Sequence, residues 1–476
     1  LSVFAYVNYV KDLNPHSKSL VPFKQVIKKS YNYRAFIYGS VYFPEKISSY
    51  PFLNFSCTYP KLTHIPSLTN FGFGNFHFWK LLKPTYHDYA SPRCFSFSYH
   101  DQRTPNFTFD VFSLLSLTCK NTSAGYSYYL RTKNRNHNLI LHLLSRIVPR
   151  KCFTVIKYAE KKELLPKKSY FKKNKTRLFA VVDAHIELAF RILLQKAMDV
   201  LLKNKKRPFK IGFSIFHHGI QKMYYWTGFK LISLDGSSFD SSLSIWLMCG
   251  AMMMLLRDAN YTQYERAIVM AFFIDFIVQP RMYRGLLFSL FSGLPSGFLL
   301  TALLNCYIVE FIMEFIYLPS QKIIHYLSSG DDIAMPEEDS QFFCDFSKYY
   351  GVDYEKSNSL VYLSFTPRHT KYGPIAEYKE IGKCFSTLAY LEDTSNTIQL
   401  TSTFVSLFVI YFYHFFFHPN SRNYFHSFMN IYRTRMGIHA FSPQFLLRQA
   451  MMNWFGPSRP QANFYVTGKS RDFDTI

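Results

Sequence analysis

The stretch YLSSGDDIAMPEE, residues 326–338, sets Asp331 and Asp332 side by side. Residues 322–327 before it read as one strand and residues 333–335 after it as another. The pair therefore falls at the tip of a hairpin, where Gly-Asp is a common turn former. Adjacent carboxylates resist joint ionisation unless a cation lies beside them. A turn alone would account for the glycine and one aspartate; whether the pair also holds a cation is decided by the rest of the chain.

The chain has 476 residues, 48% of them apolar, enough for a large core or several packed subdomains. Lys and Arg number 55 against 31 acidic residues, a formal charge of +24. So large an excess calls for a polyanionic partner, nucleic acid before an anionic membrane. An aromatic content of 19% excludes a disordered chain. The eight cysteines are scattered without a CxxC pair, which argues against a zinc site and a disulfide framework and for a reducing compartment. His217-His218 and the His414/His418 pair lack partners at metal-ligand spacing.

No signal peptide is visible, and the chain opens on Leu, so a missing N-terminal segment is expected. No membrane span is expected either. The apolar run 404–417 is fourteen residues long, and the run 298–318 carries Glu310 and Glu314.

Residues 1–150 show no clean period and no repeat. A basic stretch, KYAEKKELLPKKSYFKKNKTR (157–177), is followed by a helical pattern over 184–202. Residues 229–235 alternate as a strand that leads into a helix over 241–256, and a second helix spans 264–278. Then come a strand over 281–288, a glycine loop, a helix over 298–318, the hairpin, a helix over 339–350 and a strand over 360–365. This order suggests an α+β sheet covered on one face by helices.

Two acidic clusters fall at strand ends: Asp235-Gly-Ser-Ser-Phe-Asp240, and Asp331-Asp332. If their strands are neighbours, Asp235 and Asp331 meet on one edge. Carboxylate oxygens without His or Cys suit Mg²⁺ or Mn²⁺ rather than zinc. Two such ions about 3.5–4 Å apart would clamp the attacking and leaving oxygens of a phosphoryl displacement. Helix capping would explain Asp235 alone but not both clusters. Between them lies SGLPSGFLLTALLNCY (292–307), with Ser296-Gly297 on a loop and Thr301 and Asn305 four apart on one helix face.

DxxxxD, SGxxxTxxxN and a GDD hairpin, in that order, resemble motifs A, B and C of viral RNA-dependent RNA polymerases. KKELLPKKSYFKKNKTR (161–177) resembles motif F, YYGVDYEKS (349–357) motif D, and LVYLSF (360–365) motif E, with Ser364 where a glycine is usual. The likeness spans about residues 157–390. GLPSGFLLTALLN and KCFSTLAYLED (383–393) are most similar to the partitivirus and picobirnavirus group within the picornavirus-like supergroup. Leu234, Gly236 and Phe298 depart from the usual pattern.

The resemblance implies a right-hand polymerase with an RRM-like antiparallel palm sheet. Residues 1–230 would form the N-terminal region and fingers, 231–261 the palm with motif A, 262–290 a fingers insertion, 291–385 the palm with motifs B to E, and 386–476 the thumb and tail. Asp235, Asp331 and Asp332 would hold two Mg²⁺ ions, with Mn²⁺ as a substitute, and Gly330 would make the motif C turn. Gly293 and Gly297 would shape the motif B loop. Lys161, Lys175 and Arg177 would cradle the triphosphate, and Lys356 would protonate the leaving pyrophosphate. Asp240, Ser296, Thr301 and Asn305 would read the ribose 2′-hydroxyl through a hydrogen-bonded group. Expected partners are template and nascent RNA, ribonucleoside triphosphates and a viral capsid protein, in the host cytoplasm and inside the virion.

Two other function classes fit parts of this sequence. Reverse transcriptases resemble this palm but carry an aromatic gate near the Asp240 position, Gln-Gly in the B-like loop and an aromatic two residues before Asp-Asp; here stand Asp240, Ser296-Gly297 and Ser329. A catalytically dead, basic RNA-binding protein would explain the charge equally well, but not the retention of mutually repelling carboxylates.

Overall fold

The computed structural model describes residues 6–9, 55–57, 105–108, 110–118, 122–126, 140, 155–161, 164–166, 178–204, 207–277, 279, 281–283, 286–289, 293–389, 397–418 and 443–456. Most of 1–150 and the whole of 167–177 lie outside this set, so the expectations for Lys175 and Arg177 do too.

A four-stranded antiparallel sheet lies at the centre. Its strands are β6 (Leu231–Gly236), β9 (Leu327–Ser329), β10 (Asp332–Pro336) and β11 (Tyr354–Lys356), in the order β11-β6-β10-β9. The register sets Ile333 opposite Leu234 and Met335 opposite Ile232, and Glu355 opposite Asp235 on the other side.

Side chains alternate across a strand, and the two faces bury different cores. Ile232, Leu234, Ile333 and Met335 join one core. Ala334 joins the other, with Leu231 and Leu327 packed against it. Both faces of β6 and β10 are therefore covered.

The first core is built by helices α2 (Ala184–Lys203), α5 (Ile245–Asp258), α6 (Gln263–Ile277), α7 (Thr301–Ser320) and α8 (Glu337–Tyr349). Helix α7 is apolar nearly all round, as a helix enclosed by neighbours must be; Leu304, Cys306, Tyr307, Ile308 and Val309 are fully buried. By length and composition its segment Thr301–Leu318 could cross a membrane, but this burial makes it a core helix. Helix α8 is amphipathic, with Glu337, Glu338 and Asp339 in its first turn and Lys348 in its last, the polarity its dipole favours.

The second core holds helix α3 (His218–Thr227), the hairpin of β12 (Phe365–Thr370) and β13 (Gly373–Tyr378), α9 (Ile381–Ala389), α10 (Thr397–Ile410), a π-helical turn at Tyr413–Phe417 and α11 (Pro443–Phe455). A second sheet runs β1-β8-β7-β3-β5, with β1 at Tyr6–Tyr9, β3 at Ile156–Glu160, β5 at Leu178–Val181, β7 at Arg281–Tyr283 and β8 at Leu286–Ser289. Strands β2 (Phe55–Cys57) and β4 (Leu164–Pro166) pair with each other, and the short helix α1 (Val111–Ser116) joins the first core.

Several boundaries differ from the sequence reading. The strand before the hairpin is only Leu327–Ser329, paired with Asp332–Ala334 of β10. The helix expected over 241–256 is broken: Leu243 is extended, and Ser244 caps α5 by accepting from the Leu247 amide at 3.3 Å. That leaves Asp240 on the separate turn α4 (Phe239–Ser242). The strand expected over 281–288 is the hairpin β7–β8. The strand expected over 360–365 is a tight turn instead. Leu363 and Ser364 both have positive φ, 52° and 67°, and Tyr362 and Phe365 exchange both backbone hydrogen bonds. This is the type I′ pattern, whose positive φ at the second position explains why glycine is usual there; Ser364 adopts that conformation with a side chain in place.

Candidate active site

The turn between β9 and β10 consists of Gly330 and Asp331 alone, because Ser329 pairs with Asp332. Gly330 has φ +73° and Asp331 does not share the sign, the pattern of a type II′ hairpin with glycine first. The Gly330 amide is buried and donates to Cys306 Sγ on α7 at 3.1 Å. A thiol on the helix behind therefore supports the turn. Burial pushes the Cys306 thiol up to about 11, so it meets the amide as a neutral group.

Continuing the β6–β10 register by one residue brings Asp235 opposite Asp332. Directly opposed residues share a face, so both carboxylates lie on the side of Ala334 and the β12–β13 hairpin. Asp235 is exposed and Asp332 half-buried. Burial, then Asp331, then Asp235 push the Asp332 carboxyl up to about 7, and among the described residues Lys379 opposes this. Crowded carboxylates at an open edge are what a divalent cation relieves. Among the described residues no group of three or more His, Cys, Asp or Glu side chains is arranged to hold a metal ion. A facing pair of aspartates suits an ion that completes its shell with phosphate oxygens and water, so the donor set fits such an ion.

The sequence-derived sugar-reading group is only partly assembled. Asn305 Nδ2 donates to Asp240 Oδ1 at 2.9 Å. Burial raises the Asp240 carboxyl to about 6; Asn305 pulls it back and Asp331 adds to the rise. Ser296 does not join them. Its Oγ accepts from the Ala180 amide of β5 at 3.1 Å, because the loop packs flat on that strand: a Cβ on Gly297 would overlap the Ala180 carbonyl. Thr301 also turns away, donating to the Pro295 and Phe298 carbonyls at 3.0 and 2.9 Å. It pins the loop to the start of α7, which begins at Thr301 rather than 298.

Lys161 is exposed just beyond β3. Lys356 stands opposite Leu234 in register and so on the helix-covered face, away from Asp235 and Asp332; its charge acts on Cys344 of α8. The cation that Asp332 feels is Lys379, just after β13. Nothing in the local sequence marks Lys379, since only the folding of the hairpin brings it near.

A model of the viral RNA-dependent RNA polymerase family matches residues 89–371. The chain belongs to that family. The match covers more than half of the chain and contains Asp235, Asp240, Asp331 and Asp332. No curated protein matches. The protein is thus an RNA-directed RNA polymerase, a nucleotidyltransferase of viral RNA replication whose partners are RNA and nucleoside triphosphates. Polymerases of this family use divalent metal ions. The excess of 24 positive charges suits a polymerase that handles RNA by its phosphates. Arg281 and Cys306 are polymerase residues that motif spacing does not reveal, the first buried beside the loop and the second behind the turn.

Proposed function

We propose that the open edge formed by Asp235, Asp331 and Asp332 is the centre of template-directed, two-metal nucleotidyl transfer, on a palm sheet of right-hand architecture. The observation that carries this reading is the register that sets Asp235 opposite Asp332, with Asp331 at the adjoining turn. Asp235 and Asp331 would hold two Mg²⁺ ions, with Mn²⁺ able to substitute, and Asp332 would support them. When bound, such ions supply a 3′-hydroxyl of lowered pKa and neutralise charge on the triphosphate.

The chain's own residues do the rest. Lys161, Lys175 and Arg177 would bind triphosphate oxygens. Asp240 and Asn305 would meet the ribose 2′-hydroxyl; Asn305 Oδ1 is buried with no donor among the described residues, a capacity that a deoxynucleotide would leave unmet. The resemblance makes Lys356 the proton donor to pyrophosphate, a role that requires it to leave the face it occupies here. Lys379 is better placed to steady negative charge beside Asp332.

The motif B sequence and residues 383–393 support placement in the partitivirus and picobirnavirus group. That placement carries with it a capsid partner and work in the host cytoplasm and inside the virion.

The deciding experiment is incorporation of labelled ribonucleotides on a defined RNA template with Mg²⁺, comparing wild type with Asp331→Ala. Product that vanishes in the variant while RNA binding persists supports the reading. Product that survives places the active site elsewhere. A wild type that binds RNA without synthesis favours a basic RNA-binding protein on a polymerase fold.

A further inference from the structure

Arg281 is fully buried, at 0% exposure, and no carboxylate pairs with it among the described residues. A buried guanidinium is costly unless its charge is met by hydrogen bonds. Three acceptors meet this one. Nη1 donates to the Tyr158 hydroxyl of β3 at 2.7 Å. Nη2 donates to the Ile277 carbonyl at 3.2 Å and to the Gly293 carbonyl at 2.9 Å. Ile277 is the last residue of α6, so the charge also sits at the negative end of a helix dipole.

The third bond is the informative one. The Gly293 carbonyl and the Leu294 N–H belong to one peptide unit. Its oxygen is held by Arg281, and its N–H donates to the Asp240 carbonyl at 2.8 Å. The Gly293 amide donates in turn to the Leu243 carbonyl at 2.7 Å. A single planar peptide therefore ties Arg281 to the backbone of Asp240, at the point where the 293–297 loop begins. Among the described residues the Asp240 side chain is held by Asn305.

We propose that Arg281 is a positioning residue for sugar selection. By fixing the Gly293–Leu294 peptide it sets where the Asp240 backbone sits, and through that where the Asp240 carboxylate meets the incoming ribose. Tyr158 extends the tie to the sheet that carries β5, so the loop and Asp240 are located against the same frame. The inference rests on the reading of Asp240 as the 2′-hydroxyl partner.

The test measures kcat/KM for a ribonucleotide and its deoxy counterpart, with thermal midpoints, in wild type, Arg281→Lys, Arg281→Met, Tyr158→Phe and Asp240→Ala. A lysine cannot span three divergent acceptors. The expected result is a fall of about threefold to tenfold in the ribo/deoxy ratio for both Arg281 variants, smaller for Tyr158→Phe, and largest for Asp240→Ala. A purely structural arginine would slow both nucleotides equally and leave the ratio alone. If Arg281→Met does not fold, Arg281→Lys and Tyr158→Phe carry the test. An altered ratio in Asp240→Ala with unchanged ratios in those two overturns the positioning role alone. An unchanged ratio in Asp240→Ala removes the sugar reading, and this inference with it.

Discussion

Two acidic clusters lie beside helix α7, and they are treated in opposite ways. In one, Asp258 and Glu310 converge on Arg207, whose guanidinium reaches them at 2.7 and 3.3 Å, while the Tyr307 hydroxyl donates to Asp258 at 3.2 Å. Burial pushes Glu310 up, and Arg207 restrains the rise. In the other, among the described residues, Asp332 has two carboxylates and one opposing lysine for charged neighbours. One cluster is neutralised within the chain. The other lies at an open edge, where burial and neighbouring carboxylates raise Asp332. Acidic residues alone therefore do not mark an active site; what differs is whether they are folded onto an arginine in the core or presented at a sheet edge.

The sharpest way to break this comparison is Asp331→Ala. If the open cluster is the catalytic one, ribonucleotide incorporation falls by about 10³-fold or more, whereas changes in the Arg207 cluster reduce activity only through folding.

Arg207→Met should act on stability instead. It takes the arginine from half-buried Glu310 and leaves Asp258 with Arg257 and Tyr307, and chemical denaturation should register a loss of about 2–4 kcal/mol at neutral pH. An unaffected midpoint would mean that Asp258 and Glu310 do not need the arginine.

Asp332→Asn should have the opposite sign in metal-free protein. The Asp332 carboxyl is raised from 3.8 to about 7, so between those values the folded state holds a proton that the unfolded state has released. Stability from this group falls as pH rises through that window, and the penalty is complete above it. At pH 8 in a chelator, Asp332→Asn should be more stable than wild type by about 1–3 kcal/mol, with no gain at pH 4. Added Mg²⁺ should raise the wild-type midpoint more than that of the variant. A variant less stable at pH 8 would show that the cluster is not under repulsion.

The smallest effect is expected at Cys306→Ala, which leaves the buried Gly330 amide without its acceptor. The loss should be about 1 kcal/mol, with a fall in kcat larger than any change in KM. An unchanged kcat would show that the turn holds its shape without the thiol.

Much of this site was legible in the sequence because it is local. The Gly330-Asp331 turn, the acidic end of β6 and the spacing of Thr301 and Asn305 on one helix follow from turn chemistry and helical periodicity. Direction is what short-range pattern does not carry. Motif spacing groups Ser296 with Asp240, but the loop lies on β5 and spends its hydroxyl there. The resemblance gives Lys356 to the leaving group, yet period-two alternation puts it on the far face once β11 pairs with β6. Ser364 interrupted an expected strand because two consecutive positive φ values form a turn that hydrophobic pattern cannot signal.

By itself, then, the sequence determined which side chains could hold a cation, in what order they come, and that the chain handles a polyanion, since these depend on residue type and short-range spacing. Only the tertiary structure decided which carboxylates face one another, which lysine stands near them, and that a buried arginine is joined to Asp240 through one peptide. Those are consequences of strand register and long-range packing, in which a shift of one residue would send each side chain to the opposite face.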